Sequence, residues 1–198
     1  MASKNRIISM AADNTPNADP ALRRLLSALE ADGREVTRVE TLTVSGRKLD
    51  AYTRARDSDR GNNRSAQRFA YHTTSCAAAR SIAENGFDPS RARSVAFGRG
   101  VNLGTSTEQA LLYASAAGTT CTLVCAVAVG RSHANRSMVR EGDAGGDTVP
   151  LHMHPRPGFD SMHGARGRIL VVPDPARVLP LVAVSHRARR AERKPRKN

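Results

Sequence analysis

The chain has 198 residues, of which 39% are hydrophobic and 4% aromatic, with no tryptophan. That length suits one domain of ordinary size with tails, or at most two small ones, and a core built from Ala, Val, Leu and Ile. Lys and Arg number 31 against 18 Asp and Glu, a net charge of +13. No window approaches the ~18 consecutive apolar residues of a membrane span, and the N-terminus has no signal-like apolar region, so a soluble, intracellular protein without membrane contact is expected.

Taken in chain order, residues 1–18 show no sustained period and are predicted to be disordered. "ADPALRRLLSALEADG" then predicts a helix capped by Asp19, with Pro20 at its first position, an apolar stripe of Leu22, Leu25, Leu26 and Leu29, and Gly33 as its stop. "REVTRVETLTVSG" alternates imperfectly and reads as a strand with a bend; "RKLDAYTRAR" reads as a short helix and "DSDRGNNRS" as a loop. "QRFAYH" predicts a strand, "SCAAARSIAENG" a helix closed by Gly86, and "AFGRGVNLG" a strand punctuated by glycines. "TSTEQALLYASAAG" follows as a helix capped by Thr105 or Ser106. "TTCTLVCAVAVG" is the most apolar strand, residues 131–167 read as irregular, and "RILVVPDP" and "RVLPLVAVSH" close the domain as strands. Strands gathering toward the end favour α+β over a doubly wound parallel sheet.

Three cysteines, an odd number, fit a reducing compartment. Cys121 and Cys125 fall on one face of a strand and read as buried thiols rather than metal ligands. "GRGVNLG" has the wrong spacing for a dinucleotide fingerprint. "LHMHPRP" places His152 and His154 in a Pro-rich loop, where such a pair is usually incidental, so no metal is expected. The end of the chain, "HRARRAERKPRKN", holds seven Arg and Lys and one Glu. It reads as a solvated tail from residue 186 onward, serving either solubility or nuclear targeting and contact with phosphate backbones. The scarcity of aromatic platforms argues against a dedicated nucleic-acid-binding domain.

One histidine, His72 in "FAYHTTSCAAARSIAENGF", stands where a strand runs into a Thr/Ser segment and a helix. Alone it reads as ordinary packing. Five stretches in order change that reading: "VTRVETLTVSGRKLDAYTRAR", "FAYHTTSCAAARSIAENGF", "FGRGVNLGTSTEQALLYA", "TLVCAVAVG", and "PGFDSMHG" with "RILVVPDPARVLPLVAV". Together they resemble the catalytic domain of the poly(ADP-ribose) polymerases, ADP-ribosyltransferases related in fold to diphtheria toxin, over roughly residues 34–185. The resemblance implies split antiparallel β-sheets with flanking helices in a single domain over residues 19–185, and NAD as substrate.

Cleaving NAD at the nicotinamide–ribose bond requires a grip on the carboxamide, stacking on the ring and support for positive charge at the anomeric carbon. By resemblance, His72 matches the residue that hydrogen-bonds the ribose, Thr73 the one whose backbone holds the carboxamide, and Tyr113 the second of two stacking tyrosines. Asn102 stands where the first stacking tyrosine belongs, Ala110 where a serine bonds the carboxamide, and Thr73 where glycine is usual. Ile169 occupies the position of the glutamate that extends polymers. His72, Asn102 and Ile169 thus stand at catalytic positions; Thr73, Ala110 and Tyr113 complete the NAD-binding set. The implied activity is mono-ADP-ribosylation, a pentosyl transfer from NAD first to a protein and second, through the basic tail, to nucleic acid, by a monomer. The alternative is a catalytically silent module that binds NAD or a protein, as in plant stress regulators with a degenerate version of this domain.

Overall fold

Helix α1 (Asp19–Ala31) sets one face of the molecule, because its leucines at i, i+3 and i+7 present Leu22, Leu25 and Leu29 to the sheet, all buried. The computed structural model describes residues 16–61, 65–91, 97–115, 118–135 and 154–189. Asp19 is the first helical residue rather than the cap: Ala18 is the cap without a side-chain bond, and the Asn17 side chain accepts from the Asp19 amide. Gly33, at φ +66°, turns the chain out of the helix.

Strand β1 (Arg34–Thr41) bends at an irregularity between Val36 and Arg38, the bend its broken alternation predicts. Helix α2 (Gly46–Gly61) is longer than its sequence suggests, absorbing "DSDR", which had read as loop. Strand β2 (Ser65–Ser75) runs through the Thr/Ser segment and passes straight into α3 (Cys76–Asn85), where Ser75 Oγ accepts from the Ala78 amide as the cap. Strand β3 (Val101–Gly104) and helix α4 (Thr107–Leu111, capped by Ser106) are both shorter than predicted. Strand β4 (Thr119–Gly130) is followed by β5 (Ser132–Ala134), β6 (Ser161–Gly164), β7 (Ile169–Val172) and β8 (Val178–Ala188). The segment read as irregular therefore contains two short strands. The final strand also runs past the expected boundary at residue 185: His186 is fully buried in it, because period-2 alternation puts it on the face of Val182 and Val184. Most of the basic tail lies outside the described residues, as do residues 1–15.

The fold is α+β. The eight strands lie in the order β1-β8-β4-β2-β3-β7-β6-β5, antiparallel throughout except for β5 with β6. β2 pairs with β4 over its whole length but meets β3 at one rung, Tyr71 opposite Gly104. The sheet is thus two four-strand halves joined at a point. β4 is buried on both faces: Val124, Ala126 and Ala128 face α1 and Tyr52 of α2, while Cys121, Leu123, Cys125 and Val127 face Ala79 of α3 and the strands β3 and β7. The two thiols share one face, as predicted, and burial pushes Cys121 up to about 11 and raises Cys125 further. No helix among the described residues is long and apolar enough to cross a membrane.

One ion cluster ties α2 to the far half of the sheet. Arg177, just before β8, donates to Asp59 Oδ2 and to Asp160 Oδ1, each at 2.9 Å, and to the Ala128 carbonyl at 3.2 Å. Asp59 is 2% exposed, so removing the guanidinium strands a buried carboxylate. The Arg177→Met variant is expected to lose about 3–5 kcal/mol in urea unfolding. Adding Asp59→Asn should recover part of that loss; a double variant no better than the single would show that the pairing is not what matters there.

Candidate functional site

Beyond the Tyr71–Gly104 rung the two half-sheets part, and a cleft of about 920 Å³ opens there. His72 and Thr73 of β2, Asn102 of β3 and Tyr113 just after α4 line it, together with Phe87 and Arg91 beyond α3. Antiparallel pairing continued past the rung would set Thr73 against Asn102. Instead the His72 ring closes the gap: its Nδ1 donates to the Asn102 carbonyl at 2.9 Å. A carbonyl only accepts, so the bond fixes the proton on Nδ1 and leaves Nε2 as an acceptor in the neutral ring. Burial lowers the His72 pKa against a smaller opposing effect of that carbonyl, which favours the neutral form near pH 7. Phe87 packs edge-on against the imidazole at 5.2 Å and holds its plane.

Asn102 does more than stand in a stacking position. Its amide donates to the Gly100 carbonyl at 3.1 Å, while its Oδ1 is buried without a partner. Gly100 itself, at φ +151°, lies so close to β7 that a Cβ would sit 2.7 Å from the Val172 carbonyl oxygen. Gly100 of "GRGVNLG" thus serves close packing of the cleft wall. Tyr113 lines the cleft and is 55% exposed, so its ring is accessible to a flat ligand.

Two of the expected site residues stand apart from the cleft. Ala110 is 1% exposed in the core beneath α1, against Gly104, whose missing Cβ leaves room for it. Ile169 is 2% exposed and packs with Met162, Val171 and Phe97. Neither lines the cleft, because each side chain is committed to packing. His154 is exposed on the loop before β6, and His152 lies outside the described residues.

A polar relay beneath the cleft went unread in the sequence. Thr73 Oγ1 lies 2.9 Å from Thr122 Oγ1, which lies 2.9 Å from His186 Nε2. Arg34 Nε donates to His186 Nδ1 at 2.8 Å, and its Nη2 donates to the Ser115 carbonyl. Thr122 and His186 are fully buried and Arg34 nearly so. The alternation of β8 offered a signal, since it places His186 on a core face, but the basic run after it masked that face.

No protein-family model matches the chain, and a search of curated proteins finds no match.

Burial, and the Arg34 charge beside it, push the His186 pKa down from 6.5 to about 4. The unfolded chain therefore binds this proton near pH 6.5 and the folded one only near pH 4. Stability from this group is fully present above about pH 6.5 and declines as pH falls through that window toward 4. Denaturant unfolding at pH 7 and pH 4.5 should show a smaller difference for His186→Gln than for wild type; equal differences would place the acid sensitivity elsewhere.

Proposed function

We propose that the cleft receives the nicotinamide end of NAD and that the protein transfers single ADP-ribose units to a protein acceptor. The observation that supports this most is the convergence of His72, Thr73, Asn102 and Tyr113, from three separate elements, on one cleft of about 920 Å³. That size is appropriate for a nucleotide-sized ligand.

The residues divide the work by chemistry. Neutral His72, its Nδ1 proton held by the Asn102 carbonyl, offers Nε2 to a donor such as a ribose hydroxyl. Tyr113 offers its ring face to the pyridine ring, on one side only. NAD supplies the glycosidic bond that is broken; the protein's part is to hold the ribose and the ring still while positive charge develops at the anomeric carbon. Chain extension needs a carboxylate to activate a ribose hydroxyl, and Ile169 offers none, so the product expected is a single unit.

A second reading rests on a specific observation. The acidic side chain that lines the cleft among the described residues is Asp88, which is already engaged by Ser90 and Arg91. A cleft without a free carboxylate suits binding without transfer, and then the domain is an NAD-sensing or protein-recognition module.

Incubation with labelled NAD separates the two. Wild type is expected to label itself or an acceptor protein with a species of one-unit mobility, and His72→Ala to lower labelling roughly tenfold, the equivalent of one good hydrogen bond. Heat of NAD binding by calorimetry without any labelling would favour the recognition module. No labelling and no heat would sink both readings.

A further inference from the structure

The geometry points to a role for three residues remote from the cleft: Arg34, His186 and Thr122 act as positioning residues that turn the Thr73 hydroxyl into a hydrogen-bond donor toward an oxygen acceptor on the cleft's occupant. The inference rests on the reading of that cleft as an NAD site, and it names a contact which that reading leaves unassigned.

Proton bookkeeping along the relay carries the argument. A guanidinium has donors and no acceptor, so Arg34 Nε must give its proton to His186 Nδ1, 2.8 Å away. Nδ1 is then the bare nitrogen of a neutral ring, and the single ring proton sits on Nε2. Nε2 faces Thr122 Oγ1 at 2.9 Å and donates to it. Thr122 is fully buried, so its own hydroxyl proton must find an acceptor or cost free energy. Thr73 Oγ1, at 2.9 Å, is the neighbour that takes it. Thr73 therefore accepts from below and is left with one proton and no other partner among the described residues. It is half-buried and lines the cleft.

One permanent charge at the start of β1 thus orients every proton across β8 and β4 to β2. An ordinary surface threonine could accept or donate as its partner required; here one of the two lone pairs is already taken and the proton alone has no partner among the described residues. A carbonyl or carboxamide oxygen of the ligand takes up that proton, whereas a hydroxyl or amine proton would compete for the remaining lone pair and leave the Thr73 proton unpaired. Arg34 has a second hold on the site. Its Nη2 bonds the Ser115 carbonyl, two residues after Tyr113, so the same side chain that polarises Thr73 also anchors the segment carrying the stacking ring.

Two measurements test this. In wild type, two-bond ¹⁵N–¹H correlation of the His186 ring near pH 7 is expected to show the Nε2–H tautomer; an Nδ1–H tautomer would overturn the relay without any variant being made. In NAD titrations by calorimetry, Thr73→Val and Thr122→Val are each expected to weaken binding about 3–10-fold. The double variant should be no weaker than either single one, since both cut the same relay. Thr122→Ser should bind as wild type does, and thermal melts verify that each variant is folded. A folded Thr122→Val protein with wild-type affinity overturns the inference while leaving the NAD reading standing. Wild type that binds no NAD overturns both.

Discussion

The structure depends on where one strand stops pairing. β2 is laddered to β4 along its full length, yet shares a single rung with β3, at Tyr71 and Gly104. Both residues are held from elsewhere: the Tyr71 hydroxyl donates to the Ala21 carbonyl of α1, and Gly104 admits Ala110 at a distance no side chain would tolerate. The junction is fixed from both sides, so the divergence beyond it is a property of the fold. Had the ladder continued, Thr73 and Asn102 would be partners in a sheet and no cleft would exist between them. The imidazole of His72 takes up the Asn102 carbonyl instead, which is how a ladder's end becomes the wall of a cleft.

Several buried polar groups are linked in sets. Arg34, His186, Thr122 and Thr73 form one set, and Asp59, Arg177 and Asp160 another. Each spans strands or helices far apart in sequence, and each makes the loss of a single member expensive because the others remain buried. They also lie toward opposite ends of β4: the first ties β1 and β8 to β2 through Thr122, and the second runs from α2 past the Ala128 carbonyl to the loop before β6. The two half-sheets, weakly joined by backbone pairing, are bridged by the second set, through Arg177 before β8 and Asp160 before β6.

Elements whose pattern is local were legible in the sequence. The leucine stripe of α1, the Ser-to-Gly frame of α3 and the apolar run of β4 each declare themselves within a dozen residues, as does the shared face of Cys121 and Cys125. His72, Thr73, Asn102 and Tyr113 line one cleft, while Ala110 and Ile169 do not join them because core packing claims both. What stayed hidden is what depends on pairing across the sheet. Nothing near Arg34 announces a histidine 152 positions away, and nothing near Asp59 announces Arg177. His186 stands at a compositional seam: it ends the strand stretch "RVLPLVAVSH" and opens the basic run "HRARRAERKPRKN", so local pattern assigns it to both. The domain boundary expected at residue 185 follows the charge run, although the alternation carries the burial.

The chemistry of the cleft also limits what it can prefer. The protein carries a net charge of +13, but little of it is free at this site. His72 is held neutral by burial, Asp88 is engaged by Arg91 and Ser90, and the Arg34 charge reaches Thr73 only through neutral groups. Neutral donors and acceptors beside an exposed aromatic ring would select a ligand by the direction of its hydrogen bonds and by its flatness rather than by charge. Arg91 also lines the cleft and is 76% exposed, but Asp88 stands 3.3 Å from its guanidinium, so that cation is already opposed by a carboxylate of the same wall. Charge is therefore cancelled within the lining itself, and what stays open to a ligand among the described residues is uncharged.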